Sequence, residues 1–503
     1  MDDTLDWNVS RPGYARELTN CYIPPGRAGR RVLGRPGVTG LGAQLGGVSA
    51  RTTQFIGQFV KSDNTRQTIA IVGGKFYTLD WTTRTWTETL DAADFSGASI
   101  TLSATDRVYS VTLNDKIVFW DGTNDPWMWD GTAGGGLTLL SNAEAFTGQG
   151  AVYYAKVFGA KADTFYWSEE GDPTLGYAAY ASAWAPMNVA KITSLAASNA
   201  ALYVAERNRI LRITGAVATD FQTSGTRSDL SERTGTLSPM LVTDNGVVLL
   251  SSDGAPYIIN NGLQDMWRDC QTATASMNVD ALDQVAILEW PLIDAVLIGV
   301  PMLPNDVISQ WLIFRVSEGE PRYIGRWDLG LNDAAAVVLN GDDVPVLLVS
   351  GNQDGYLYDM GLPNGQQWDD EWASGTTSIP HQVTYLPLGA DPDTERTYDR
   401  MTVVLDGSGT ATEIDTSYQT TRGVSTPQTG TLTGGSGDLL GISFTLGTST
   451  LAEAAAEQRI TFGLSGFGRW IAPTVAHDQT GKTFGLKAVT VEAYPWGTDP
   501  QHP

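Results

Sequence analysis

Only a few stretches of this chain combine residue types that could do chemistry. Ala476–Thr483 (AHDQTGKT) ends in Gly481-Lys482-Thr483 and fits a permissive phosphate-loop pattern. Such a loop needs a strand before it and a helix after it, because the helix N-terminus faces the phosphate. Here Phe484–Ala493 alternates with period two, so a strand follows, and the first position is Ala476 instead of glycine. The match is assigned to chance. Gly40, Gly42 and Gly46 have the wrong spacing for a dinucleotide fingerprint, and no helix is expected after them. His381, His477 and His502 all fall in the C-terminal third, without metal-ligand spacing. Cys21 and Cys270 stand far apart, which offers no disulfide framework or paired zinc ligands and fits a reducing compartment. Acidic runs occur at Asp369, Asp370 and Glu371, and at Asp391, Asp393, Glu395 and Asp399. Neither run has the glycine turn and oxygen spacing of a calcium loop, so solvated faces are expected. No nucleophile with a matched base is evident. The expectation is a protein without catalytic residues, cofactor or metal.

The elements that would carry any site are strands. Charged residues make up 17% of the 503, below the roughly 25% usual for soluble domains. Glycine is abundant, tryptophan numbers 16, and the apolar runs are short, which is the profile of an all-β chain with many turns. The net charge of −24 opposes casual nucleic-acid binding. No run approaches the roughly 20 apolar residues of a membrane span. The opening MDDTLDWNVS is acidic and lacks an apolar core, so no signal peptide is expected.

The strands recur. Ala201–Ala205 with Ile210–Ile213, and Gly246–Ser251 with Tyr257–Ile259, are short apolar runs joined by polar turns, the signal of hairpins. One hairpin cannot bury its faces alone, so a chain of them must stack or close. Marker strands at Ile69, Ile117, Phe165, Ala201, Val247, Val296 and Pro345 step by 48, 48, 36, 46, 49 and 49 residues. That spacing is the propeller-blade period of about 40–50 residues. A six- or seven-bladed β-propeller is expected over 52–362. Trp-Asp dipeptides at Trp120, Trp129, Trp327 and Trp368 lack the upstream Gly-His of WD40 repeats and are read as turn-edge packing.

The flanks differ. Residues 11–51 hold seven arginines (Arg11, Arg16, Arg27, Arg30, Arg31, Arg35 and Arg51) against the single acid Glu17. Pro12, Pro24, Pro25 and Pro36 argue against helix, so 1–51 is read as an extended basic arm. Arg27, Arg30, Arg31 and Arg35 are its candidate docking residues. A polar, acidic linker is expected over 363–380. Beyond it alternation returns, and 381–503 is read as a β-sandwich-like domain with one short helix at Leu451–Gln458.

Four segments resemble the tail nozzle or hub proteins, also called packaged-DNA stabilisation proteins, of short-tailed bacteriophages. They are Glu17–Val38 with its Arg-Pro-Gly, Lys156–Thr174 with Tyr-Trp-Ser before Asp-Pro, Ile192–Gly215, and Arg233–Ile259 with a Gly-Thr-x-Ser-Pro turn and an Asp-Gly hairpin. The resemblance spans about residues 5–362. It implies a structural virion protein and no catalysis. It further implies a homohexameric ring below the portal and its head–tail adaptor, tail fibres or spikes docked on it, and a channel that retains and conducts genomic DNA without sequence preference. Chain ends would form a platform against the adaptor. Assembly would occur in the host cytoplasm, with no membrane insertion by this chain. On that reading Asp369, Asp370 and Glu371 become candidates for an acidic lumen wall, where repulsion keeps phosphates from sticking. Two rivals stand beside it: a glycan-binding or glycan-cleaving phage propeller, and a propeller interaction scaffold.

Overall fold

The computed structural model describes residues 15–23, 32–47, 51–181, 191–215, 227–260, 262–266, 270–315, 322–360, 369–385, 387–388, 395–405, 413–431, 458–480, 482 and 484–495. These are almost entirely β-strand, arranged in several antiparallel sheets. The chain divides into two compact units. One holds Met1–Thr39, Ile324–Asp328 and Gly361–Pro503; the other holds Gly40–Tyr323 and Leu329–Met360.

The larger unit is a succession of sheets in chain order. The first five are four-stranded and span Thr53–Leu90, Tyr109–Leu139, Ala151–Ala181, Ile192–Ser231 and Leu241–Asp265. The sixth contains Ala286–Trp290, Ala295–Pro301 and Ile308–Arg315, and Tyr323 packs on its Phe314 at 5.6 Å. The seventh contains Ala335–Leu339, Pro345–Ser350 and Leu357–Met360. Its edge is taken up from the start of the unit: Leu41 N–H donates to Leu357 O and Leu45 N–H to Gly355 O, both at 2.8 Å.

Apolar side chains sit between consecutive sheets. The first and second share Phe59, Phe76, Phe119, Trp127 and Trp129. Phe119 stacks on Trp127 at 4.3 Å, and Phe76 meets Trp129 edge-on at 4.9 Å. Such aromatic pairs add about 0.5–1.5 kcal/mol each beyond area burial. Further clusters join the second to the third sheet, the third to the fourth, the fourth to the fifth and the fifth to the sixth. Trp290 of the sixth donates from Nε1 to Pro345 O of the seventh at 3.0 Å. Leu348 and Val346 of the seventh pack with Ile56 and Ala70 of the first.

The sequence markers fall on these seven sheets, and the short step has a cause. Phe165 lies on the third strand of its sheet, whereas the other markers lie on the second or at its boundary. Trp120, Trp129 and Trp327 of the Trp-Asp dipeptides are buried, and Trp368 lies outside the described residues. Trp120 is buried and donates from Nε1 to Gly148 O at 2.8 Å, while Asp121 Oδ1 accepts from Thr123 N and Asn124 N at 2.9 and 2.8 Å.

Among the described residues, the smaller unit contains two larger sheets and a separate hairpin. In one, Ala15–Thr19 pairs with His381–Tyr385, then Ile471–His477, then Glu413–Thr420, all antiparallel. The other orders Cys21–Tyr22, Val32–Gly34, Gly485–Pro495, Arg396–Leu405 and Gln458–Gly468. One core draws on both: Leu18, Val383, Ile414 and Val475 from the first, Cys21, Met401, Phe462 and Leu486 from the second. Glu413–Thr420 alternates exposed and buried along its length, the period-two pattern of a half-buried strand.

Two boundaries differ from the sequence reading. The basic arm is no free extension where described, because Ala15–Thr19, Cys21–Tyr22 and Val32–Gly34 are strands inside these sheets. The expected linker carries a hairpin, Asp370–Trp372 with Gly375–Thr377. A strand, Gly485–Pro495, follows the phosphate-loop look-alike, as its alternation predicts. Residues 451–457 of the expected helix lie outside the described residues.

Candidate functional site

Of the sequence-predicted residues, Arg35, Asp369 and Asp370 lie inside the smaller unit instead of on its surface. Arg35 is 2% exposed. Its guanidinium donates to both carboxylate oxygens of Asp370, at 2.8 Å from Nη1 and 2.6 Å from Nη2. Nε donates to Asn20 Oδ1 at 3.1 Å, Nη1 to Pro36 O at 3.1 Å and Nη2 to Asp328 O at 2.7 Å. Asp370 Oδ1 also accepts Val38 N–H at 3.1 Å. This is a planar, bidentate pair with its remaining donors satisfied, the geometry in which a buried arginine is tolerated. Arg35 therefore ties backbone segments together, and its fork does not face a partner. Asp369 and Asp370 are buried and only Glu371 is exposed, so this run is not a solvated patch. The reason is close approach: a Cβ at Gly37 would lie 1.9 Å from Asp369 O, so the chain passes directly over that backbone. Arg27, Arg30 and Arg31 lie outside the described residues, as do Asp391 and Asp393.

The same unit buries two histidines that sequence spacing did not join. His381 and His477 are register partners on adjacent strands, and their rings stack at 5.8 Å. Phe484 stacks on both, at 5.7 and 5.9 Å. No ring nitrogen of either histidine meets hydrogen-bond geometry, although the Arg35 backbone lies beside His381. Burial, the neighbouring His477 and Arg35 hold His381 down at about 3. Burial likewise holds His477 down at about 4, against the opposing charges of Asp478 and Asp415. Both rings are neutral at physiological pH. Among the described residues no group of three or more His, Cys, Asp or Glu is placed to hold a metal ion.

A cleft of about 500 Å³ opens in the larger unit and was not legible beforehand. Its wall takes Thr53 and Gln54 from the first sheet, Arg107 from the segment entering the second, Asp280 and Asp283 before the sixth, Asp306 within it, and Asp333 at the start of the seventh. Asp333 is half-buried. Its Oδ2 accepts Thr53 N–H at 3.0 Å and Gln353 N–H at 2.8 Å, while Oδ1 has no partner. Burial raises this carboxyl to about 6, the two N–H donors pulling the other way. Arg107 does not neutralise it: the guanidinium donates to the carbonyls of Asp283 and Val285 and lies over Tyr109 at 5.3 Å. A half-buried carboxyl displaced toward neutrality beside other carboxylates is the kind of grouping found at functional sites.

No known family matches the chain, and no curated protein matches its sequence. Among solved structures, the extracellular domain of a hybrid two-component system from B. thetaiotaomicron is similar with a TM-score of 0.43 and 9% identity, over 64% of this chain and 39% of that one. PorZ, a surface component of the type-IX secretion system of Porphyromonas gingivalis, gives 0.41 and 10%, over 71% and 44%. BamB from Moraxella catarrhalis gives 0.37 and 13%, over 72% and 96%. The chain spans less than half the length of the first two. Among the described residues, no helix is long and apolar enough to cross a membrane.

Proposed function

We propose that the chain is a non-catalytic interaction scaffold, and that the assembly it serves is the one its sequence resembles, a phage tail nozzle. The carrying observation is the run of seven sheets, each packed on the next and the last on the first, which we read as a seven-bladed β-propeller. A closed propeller holds many loops on a rigid frame, which suits docking. The smaller unit, read as a β-sandwich, draws on both chain ends, which accords with the platform the nozzle resemblance implies.

The finer reading adds a homohexamer, a head–tail adaptor, tail fibres or spikes, and genomic DNA passing a wall kept acidic by a net charge of −24. Light scattering and negative-stain imaging test it. The nozzle reading expects rings, or a monomer that joins rings when adaptor is added. A chain that stays monomeric with adaptor present removes the nozzle and leaves the scaffold. Replacing Arg27, Arg30 and Arg31 with Ala is expected to weaken assembly without altering the melting of the larger unit. Arg35 is left out of that set because its change acts on folding. Turnover of host polysaccharide by the purified chain would displace both readings in favour of a glycan-cleaving propeller.

A further inference from the structure

Two imidazoles are shut inside the smaller unit. His381 and His477 are each 3% exposed, and among the described residues none of their four ring nitrogens meets hydrogen-bond geometry. The rings stack across adjacent strands at 5.8 Å, with Phe484 on both. A neutral imidazole has one donor and one acceptor, and a charged one has two donors. Neither form is answered here, and leaving a buried group unpaired costs most when it is charged. The backbone of Gly34 covers the His381 ring. A Cβ there would lie 2.7 Å from His381 Cδ2 and closer still to Nε2, so the chain rests directly on the imidazole.

That cover is held at one end and weakly paired along its length. Val32–Gly34 meets Gly485–Pro495 at two register positions, Val32 with Leu486 and Leu33 with Gly485, and Gly34 N–H donates to Phe484 O at 2.8 Å. On its other side lies the two-residue strand Cys21–Tyr22. By contrast, Arg396–Leu405 of the same sheet meets Gly485–Pro495 at nine positions. Arg35, the next residue after Gly34, is fixed by Asp370, Asn20 and Asp328.

We propose that Val32–Gly34 is an acid-operated strap: protonation of His477 and His381 lifts it from Gly485–Leu486, with Arg35 as the fixed end, and lets water reach both rings. The charged groups nearby do not offset this. For His381, burial, then His477, then Arg35 disfavour the charged ring against the Arg35 backbone, and Asp370 is already engaged by Arg35. For His477, burial outweighs Asp478 and Asp415. Cys21, paired with Gly34, keeps a neutral thiol because burial pushes it up. Both closed rings titrate below the usual 6.5, so opening takes up protons. The strap is therefore fully held above about pH 6.5 and loosens as pH falls toward 4. From pH 8 to pH 5 each histidine raises the opened population about thirtyfold, and the pair about a thousandfold. This device does not depend on the scaffold or nozzle reading.

Hydrogen exchange of the full chain at pH 8 and pH 5, corrected for the intrinsic rate at each pH, tests this. Protection of Val32–Gly34 should fall about a thousandfold between the two, or to none. At pH 5 this strand should exchange at least about tenfold faster than Arg396–Leu405, and low denaturant should barely change its rate, the mark of local opening. His381→Phe with His477→Phe keeps two flat rings that take no proton, and should make protection of Val32–Gly34 equal at both pH values. Each single change should leave a fall of about thirtyfold and covers the case of a double variant that misfolds; circular dichroism confirms the fold of each. Unchanged protection in the wild-type chain overturns the proposal. So does exchange of Val32–Gly34 no faster than that of Arg396–Leu405 at pH 5, which is unfolding of the whole unit. An undiminished fall in the folded variants puts the titration on other groups and overturns it as well.

Discussion

The two units bury ionisable groups to opposite effect. In the smaller one, Arg35 and Asp370 answer each other on two hydrogen bonds, and Asn20, Pro36, Asp328 and Val38 take up what is left. Its histidines are held neutral in a stack with Phe484. In the larger one, Asp333 keeps one oxygen unanswered on the wall of a cleft. The first arrangement locks backbone together. The second leaves an acceptor unmade, at a cost in stability. The lesson is that charge alone does not mark a docking site. What separates the two is whether the chain itself supplies the partner.

The largest expected effect comes from breaking the closed pair. Asp370→Ala leaves a guanidinium buried without its counter-charge, and should cost about 3–5 kcal/mol. Hydrogen exchange should show the loss confined to the smaller unit; equal loss in both would break the comparison. Arg35→Met with Asp370→Leu, which removes both charges, should cost much less than the single change.

Acid should separate the units next. For His381 and His477 the folded values lie below the usual 6.5, so the unfolded chain binds protons that the folded one does not. Their contribution is complete above about pH 6.5 and is lost as pH falls toward 4. By pH 5.5 the loss should be about 1.4 kcal/mol per histidine. Denaturant midpoints followed from pH 8 to 5 should fall for the smaller unit, and His477→Leu should flatten that slope.

Asp333 has the opposite sign. Its folded value, about 6, lies above the ordinary 3.8, so the folded state holds the extra proton and stability declines as pH rises through that window. Asp333→Asn should therefore stabilise the larger unit by about 2 kcal/mol above pH 6 and give nothing below about pH 4. Melting temperatures at pH 8 and pH 4 check this; a gain of equal size at both would show that charge is not the cause.

How legible was all this in the letters? The succession of sheets was readable because each strand pair is local, with an apolar run, a polar turn and a second run. The irregular step at Phe165 reflects a marker on the third strand of its sheet where the others mark the second or its boundary. The smaller unit was much less so. Ala15–Thr19 pairs with His381–Tyr385, and Arg35 finds Asp370 across 335 positions, so neither partnership leaves a local pattern. Arg35 reads as a docking residue and the run Asp369-Asp370-Glu371 as a solvated face because sequence displays a charge without its partner. The cleft is the extreme case. Thr53, Arg107, Asp283, Asp306 and Asp333 come from separate strands and turns, and nothing in their spacing announces one wall.

Single-particle electron microscopy of the purified chain reaches the central claim most directly. The account expects seven sheets around one axis, with the backbone at Leu41–Leu45 bonded to the edge at Gly355–Leu357 and no gap between the seventh sheet and the first. An open row of sheets, or a first sheet standing away from the seventh, would contradict it.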